Sequence, residues 1–235
     1  MRHILASLCT AFMILSPGGG VLAGDRSVVV ELFTSQGCPY CPPADALLEQ
    51  LALRDDVVAL ALHVDYWDYI GWKDTFGSPE HSARQRGYAS AGDRKMVYTP
   101  QMIVNGRDHV VGTRLTDVTD LIDRQLATMR EDIAVEVTRN EGLVHIRAEV
   151  ETPRDMPLMV QLLRYIPSET VEIEHGENAG RTVTYTNIVT ELEQLAEWDS
   201  HTPLDLEVAI NGSDPVVVLL QYPDFGTIEA VAHLR

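Results

Sequence analysis

The sequence predicts an α/β unit of order β-α-β-α-β-β-α followed by an all-β sandwich, and three observations predict it. Short apolar runs alternate with helical periodicity as far as Met129. From Ile133 the period changes to two. A Cys38-Pro-Tyr-Cys41 pair stands directly after the first apolar run. The first observation points to parallel strands joined by a crossover helix, and the second to half-buried antiparallel strands. The third places chemistry at the edge of the sheet.

Residues 28–33 form an apolar, β-branched run read as a buried strand. Leu47, Leu48 and Leu51 mark one face of a helix over 44–53, and 57–64 is a second apolar run. One crossover helix between two strands makes them parallel. An irregular aromatic stretch follows, with Tyr66, Trp67, Tyr69 and Trp72. A helix over 79–91 comes next, Pro79 being acceptable in its first turn. Asn105-Gly106 between β-prone runs at 101–104 and 108–111 signals a hairpin. Val118, Leu121, Ile122, Leu126 and Met129 give an amphipathic helix over 116–129. Beyond Ile133, strand-like runs at 133–138, 143–150, 158–166, 171–174, 182–189, 204–210, 216–221 and 228–232 are separated by Gly, Pro and Asn. That spacing reads as a sandwich. The expected division is a leader over 1–23, an α/β domain over 24–130 and a β-sandwich over 131–235.

Arg2, an apolar stretch over 4–15 and Val21-Leu-Ala23 match an export signal cleaved before Gly24. The apolar stretch is shorter than the ~20 residues that span a bilayer. The expected location is therefore periplasmic or secreted, with no membrane attachment after cleavage. The formal charge of −17 and a pI near 4.7 repel phosphate backbones and anionic lipid, which excludes nucleic acid as a partner class. Cleavage discards Cys9 and leaves Cys38 and Cys41 as the remaining cysteines. A small secreted scaffold spreads several cysteines through its loops; one close pair points to chemistry.

A spacing of three lets one thiolate attack a partner's disulfide while the second cysteine resolves the mixed disulfide. A helix N-terminus stabilises a thiolate, so Cys38 is the expected nucleophile and Cys41 the resolver. Pro42 and Pro43 complicate that helix start, because neither has an N–H. The second strand ends at the same sheet edge, at His63-Val-Asp65-Tyr66-Trp67, and so does Thr99-Pro100, which begins the third strand. A cis proline there would offer backbone groups to an extended substrate; a trans turn proline is the alternative.

Together these residues resemble the thioredoxin superfamily over about residues 25–130, and Cys-Pro-Tyr-Cys is also the dithiol motif of glutaredoxins. The resemblance implies a thioredoxin-like fold, with Cys38 as nucleophile, Cys41 as resolver and Pro100 as the cis-proline. Glu31 stands near the position of the acid that handles the resolving cysteine's proton, one residue further from the motif than is usual. A closer resemblance is to a largely uncharacterised family of exported bacterial thioredoxin-like proteins with a C-terminal β-rich domain. It is carried by Glu31-Leu-Phe-Thr-Ser-Gln-Gly-Cys38, Cys41-Pro-Pro-Ala-Asp45, His63-Val-Asp-Tyr-Trp-Asp-Tyr-Ile-Gly-Trp-Lys-Asp74 and Gly176-Glu-Asn-Ala-Gly-Arg181. Members of that family often carry Ser-Ser where this chain has Pro39-Tyr40.

The expected function is thiol–disulfide exchange with protein or small-molecule thiols and disulfides, without an organic cofactor. Thr99, Tyr40, Asp65 and Trp67 are the expected substrate contacts. Two alternatives stay open: a copper-delivering protein that holds Cu(I) with Cys38, Cys41 and His63, and a binding module whose disulfide is structural. The glycine-rich stretch ending at Arg181 reads as a turn, because an alternating strand follows it.

Overall fold

The computed structural model describes residues 26–235 and the backbone of strand β1 (Val21–Ala23). The expected leader over 1–23, Cys9 included, otherwise lies outside the described residues. After β1 come β2 (Val28–Thr34), α1 (Pro42–Leu51), β3 (Val57–His63) and α2 (Pro79–Ala91). Then follow the hairpin β4 (Gln101–Val104) and β5 (Asp108–Val111), and α3 (Leu115–Thr128). The remaining strands are β6 (Ile133–Asn140), β7 (Leu143–Val150), β8 (Leu158–Ile173), β9 (Arg181–Trp198), β10 (Leu204–Ala209), β11 (Val216–Gln221) and β12 (Ile228–Leu234).

Local chemistry accounts for most of these boundaries. Ser78 caps α2 by accepting the Glu80 N–H at 3.1 Å, and Pro79 occupies the first turn, where no N–H is needed. Asn105 and Gly106 turn the β4–β5 hairpin with φ of 52° and 70°, the pair of positive angles a tight two-residue hairpin requires. Every residue of β2, β3, β4 and β11 is buried, as expected of strands covered on both faces.

The expected fold class, a thioredoxin-like unit followed by a separate sandwich, is overturned by the sheet topology. Strands from both halves of the chain join in one mixed eight-stranded sheet of order β12-β11-β8-β9-β3-β2-β4-β5. The molecule is mostly β, with 44% of described residues in strands and 19% in helices. The remaining strands β1-β6-β7-β10 form a second, four-stranded sheet. The halves meet where β9 runs parallel to β3. There Ala61 pairs with Ile188, and the Asn187 side chain donates to the Ala59 carbonyl at 2.8 Å.

The error has a physical cause. Pro167 reads as a strand breaker, because proline cannot donate to a ladder. The β8–β9 register, however, pairs Ile166 with Ile188 and Ser168 with Thr186, skipping Pro167 and Asn187. Asn187 takes φ 49° there. The skip absorbs the missing donor, and two very long strands pass through a position where short ones were expected.

Alternation along the strands sorts the core. Val28, Val30 and Leu32 of β2 pack with α1 and α3, whereas Val29 and Phe33 face a second cluster with Tyr88 of α2. That second cluster continues through Leu163, Tyr165, Val217 and Leu219, so it is common to both halves. On the other face of β8 and β11, Val160, Leu162, Val216 and Val218 pack against the four-stranded sheet. Among the described residues, no helix is long and apolar enough to cross a membrane.

Candidate functional site

The site forms where β2 runs out. Thr34 closes the strand, and the loop from Ser35 leads to Cys38, Cys41 and the start of α1. Cys38 and Cys41 form a disulfide with Cα atoms 5.4 Å apart. Cys41 occupies the cap position of α1, and Pro42 and Pro43 fill its first two places. The prolines remove two N–H groups, and the next two, from Ala44 and Asp45, bond to the Cys41 carbonyl at 2.8 and 3.1 Å. The helix start therefore acts on Cys38 through its dipole and offers it few free donors.

Distant segments hold this loop. The backbone N–H of Gln36 donates to Asp74 Oδ2 at 2.8 Å. The Gln36 side chain donates to Thr75 Oγ1 and accepts from Trp72 Nε1, each at 2.8 Å. Asn178, at the tip of the β8–β9 hairpin, donates to the carbonyls of Gln36 and Cys38 at 2.8 and 2.9 Å. Gly37 lets the loop approach Trp67 and Ile70, since a Cβ there would lie 3.2 Å from the Trp67 Cβ.

Of the expected substrate contacts, Tyr40 belongs to this loop, Trp67 lies beside its Gly37, and Thr99 is tied to Trp67. The Thr99–Pro100 bond is cis, and Trp67 Nε1 donates to Thr99 Oγ1 at 2.7 Å, tying that step to the aromatic loop beside Gly37. At Gly112, a Cβ would lie 3.1 Å from Ala44 Cβ and 3.4 Å from Pro100 Cβ, so Pro100 neighbours the first turn of α1. Tyr40 is 72% exposed, whereas both cysteines are 0% exposed. Asp65 is engaged elsewhere, accepting from Ser82 of α2.

Glu31 does not join the site. Alternation puts it on the β2 face opposite α1, where it pairs with Arg84 Nε at 2.6 Å and accepts from the Tyr88 hydroxyl. Arg84 also donates to Gln161 and Gln221, and its buried guanidinium is held charged by Glu31 against the effect of burial. Glu31 is thus part of a buried network joining β2, α2, β8 and β11.

A different set of acids lies behind the cysteines. Asp45 is one helical turn beyond Cys41 on α1, and positions four apart share a helix face. Its Oδ1 accepts from Thr34 Oγ1 at 2.7 Å, while Oδ2 is buried without a hydrogen-bond partner. Burial pushes its carboxyl up to about 7, against the opposing pull of His63 and Thr34. His63, at the end of β3, meets Asp74 Oδ2 through Nδ1 at 2.9 Å, and its Nε2 is buried and unpartnered. Burial raises the Asp74 carboxyl, but His63 and the N–H groups of Gln36 and Phe76 outweigh it and hold the group below the usual carboxylate range.

Asp45 makes stability depend on pH. Its folded-state pKa, near 7, lies above the unfolded 3.8, so the folded chain binds the proton more tightly. The stabilisation is complete below pH ~4 and is lost as pH rises through 7, by up to roughly 4 kcal/mol. Asp45→Asn, which mimics the protonated form, is expected to raise the unfolding midpoint at pH 8 by several degrees and to leave it unchanged near pH 3. Melting curves at the two pH values check this. An equal effect at both would remove the ionisation argument.

Sequence reasoning missed Asp45, Asp74 and Asn178 as site residues. Asp45 carries a local signal, its spacing of four from Cys41 on a helix. Asp74 and Asn178 carry none, lying 38 residues from Gln36 and 140 from Cys38. Among the described residues, no group of three or more His, Cys, Asp or Glu is arranged to hold a metal ion.

Residues 29–221 match the model of a family described as "Protein of unknown function (DUF1223)". The chain belongs to the DUF1223 family. No curated protein matches it. The crystal structure of protein AGR_C_4864 from Agrobacterium tumefaciens is similar, with 32% identity and a TM-score of 0.77 over 89% of this chain and 94% of that one. HBP35 of Porphyromonas gingivalis shares the fold at 13% identity and a TM-score of 0.59, over 90% of this chain and 75% of that one.

Proposed function

We propose that this DUF1223 protein is an exported thiol–disulfide oxidoreductase that exchanges its Cys38–Cys41 bond with protein or small-molecule thiols. The carrying observation is a disulfide between cysteines three apart at the start of α1, in a loop whose backbone is held by the side chains of Asp74 and Asn178. Cys38 is the attacking thiolate and Cys41 the resolver. Thr99, Pro100, Trp67 and Tyr40 flank the pair and are the proposed substrate contacts. The exchange needs neither metal nor organic cofactor. The kinship with exported thioredoxin-like proteins belongs to this proposal as a likeness of the redox motif and its flanking segments.

The proton role is reassigned. Glu31 is held by Arg84 on the far face of β2, so Asp45, on the helix face of Cys41, is the proposed acceptor of the resolving cysteine's proton.

Complete burial of both cysteines favours a second reading, a binding module with a structural disulfide. Such bonds resist the glutathione pool, whereas catalytic pairs exchange with it. The test is catalysed exchange between glutathione and a disulfide-containing peptide. The proposal expects turnover above background that disappears in Cys38→Ser. Background rates in the native protein would favour the structural reading.

A further inference from the structure

Both cysteines are fully buried, although they stand on the loop that follows β2. Exchange needs a thiolate to reach a sulfur, so a covering element has to move before the bond can react. The β8–β9 hairpin has the construction of such an element. Its strands pass the skipped pair Pro167 and Asn187 and continue as a two-stranded arm over 168–186. Gly176 and Gly180, at φ 77° and 78°, turn its tip. Beyond the skip neither strand keeps a sheet neighbour apart from the other. β11 pairs with β8 over Met159–Arg164, and β3 meets β9 at Ile188. Most of the arm is exposed, and Ile173, Asn178 and Tyr185 are its buried residues.

The arm lies against the segments that flank the bond, and its hold on them is slight. β9 packs on α1, and a Cβ at Gly176 would stand 3.2 Å from the Trp72 Cβ in the aromatic loop. The Tyr185 ring sits edge-on to His63 and Phe76, with centroids 4.8 and 6.0 Å away. Among the described residues, the hydrogen bonds from 168–186 to the rest of the chain are the two that Asn178 Nδ2 donates to the carbonyls of Gln36 and Cys38. Donating both protons there turns Asn178 Oδ1 elsewhere, and Oδ1 is buried without a partner. An unpaired buried acceptor is costly, so it offsets part of what the two bonds gain and leaves a weak fastening.

We propose that the β8–β9 arm is a lid on the Cys38–Cys41 bond, hinged at Pro167 and Asn187 and latched by Asn178, and that it lifts before the bond exchanges. The hinge is where the ladder is interrupted: Pro167 has no N–H, and Asn187 leaves the register with its side chain fixed to the Ala59 carbonyl. With the arm raised, a substrate thiolate attacks Cys38 Sγ. Its sulfur bonds to Cys38, the Cys38–Cys41 bond breaks, and Cys41 leaves with the electron pair as a thiolate that takes a proton from solvent. The latch grips backbone carbonyls, which the oxidised and reduced pairs share. The lid therefore sets the rate in both directions and leaves the potential alone. Its purpose rests on the exchange reading, whereas the access it controls is measurable without it.

The test follows reduction of the disulfide by a water-soluble phosphine, read by thiol alkylation, in the native protein across sub-denaturing urea. A lid lifts without exposing the core, so the rate is expected to be nearly independent of urea. A rate that climbs with urea as steeply as global unfolding would overturn the lid, because the bond would then be reached through the unfolded chain. In Asn178→Ala, reduction by the phosphine and oxidation by glutathione disulfide should both speed up by about tenfold, with the reduction potential unmoved. Unchanged rates in that variant would overturn the latch and with it the lid. So would acceleration in one direction with a shifted potential, which would make Asn178 a stabiliser of one redox state. The urea series on native protein decides alone if the variant does not fold. Lid-gated reduction by phosphine with glutathione turnover at background would instead remove the exchange reading and leave the lid standing.

Discussion

Replacing Cys41 with serine is expected to convert a transient covalent adduct into an arrested one. In the proposed sequence Cys38 attacks first, and only Cys41 is placed to expel the substrate sulfur. Without Cys41 the mixed disulfide at Cys38 persists, and turnover should fall to background. Mass spectrometry after exposure to glutathione disulfide should show one glutathione per chain, removable by dithiothreitol. Cys38→Ser should be equally inactive but should capture little, because in the proposed sequence Cys41 resolves and does not attack the substrate first. The asymmetry matters more than the loss of activity. Equal capture by both variants would mean that the assigned roles of nucleophile and resolver are wrong.

The second large effect concerns the fold. Arg84 is 4% exposed and pairs with Glu31, which is fully buried. It also reaches Tyr88, Gln161 and Gln221, so one guanidinium ties together β2, α2, β8 and β11. Arg84→Ala leaves the Glu31 carboxylate buried without its counter-charge, a change that typically costs about 3–5 kcal/mol. For a chain of this size that corresponds to a fall of roughly 10 °C or more in the unfolding midpoint. The transition should remain single, because the network spans both halves of the eight-stranded sheet. Adding Glu31→Gln should recover part of the loss, since it removes the stranded charge. Two separate transitions in Arg84→Ala would contradict the shared sheet.

The elements that local chemistry decides were legible in the sequence. The apolar runs at 28–33 and 57–64 lie in β2 and β3, and Pro79 and Asn105-Gly106 mark α2 and the β4–β5 hairpin. Each of these depends on residues within a turn or two of each other. The joining of β9 to β3 was not legible, because it rests on pairing between Ala61 and Ile188, and no local pattern selects one edge partner over another. Pro167 misled for a related reason. Its missing N–H is harmless only because Asn187, on the partner strand, is skipped with it. A strand's ability to pass a proline is a property of the pair.

The site divides along the same line. The cysteines, the Thr99-Pro100 step and the strand end at His63 could be named from spacing and order. The resemblance to thioredoxins points to Glu31 for the proton role, but alternation on β2 turns it away from α1. That alternation could have been read from Val28, Val30 and Leu32 on one side and Val29 and Phe33 on the other. Asn178 could not have been placed. It arrives at the Cys38 carbonyl on the tip of a hairpin whose length was itself misread.

The central claim is that Cys38 and Cys41 are a working redox pair, and their reduction potential tests it most directly. Purified protein would be equilibrated in glutathione buffers of graded potential, and the fraction of reduced pair read by thiol alkylation. The account predicts a reversible two-electron transition in the range of roughly −120 to −270 mV spanned by thiol oxidoreductases. A pair still oxidised at potentials below about −300 mV, as structural disulfides are, would contradict it.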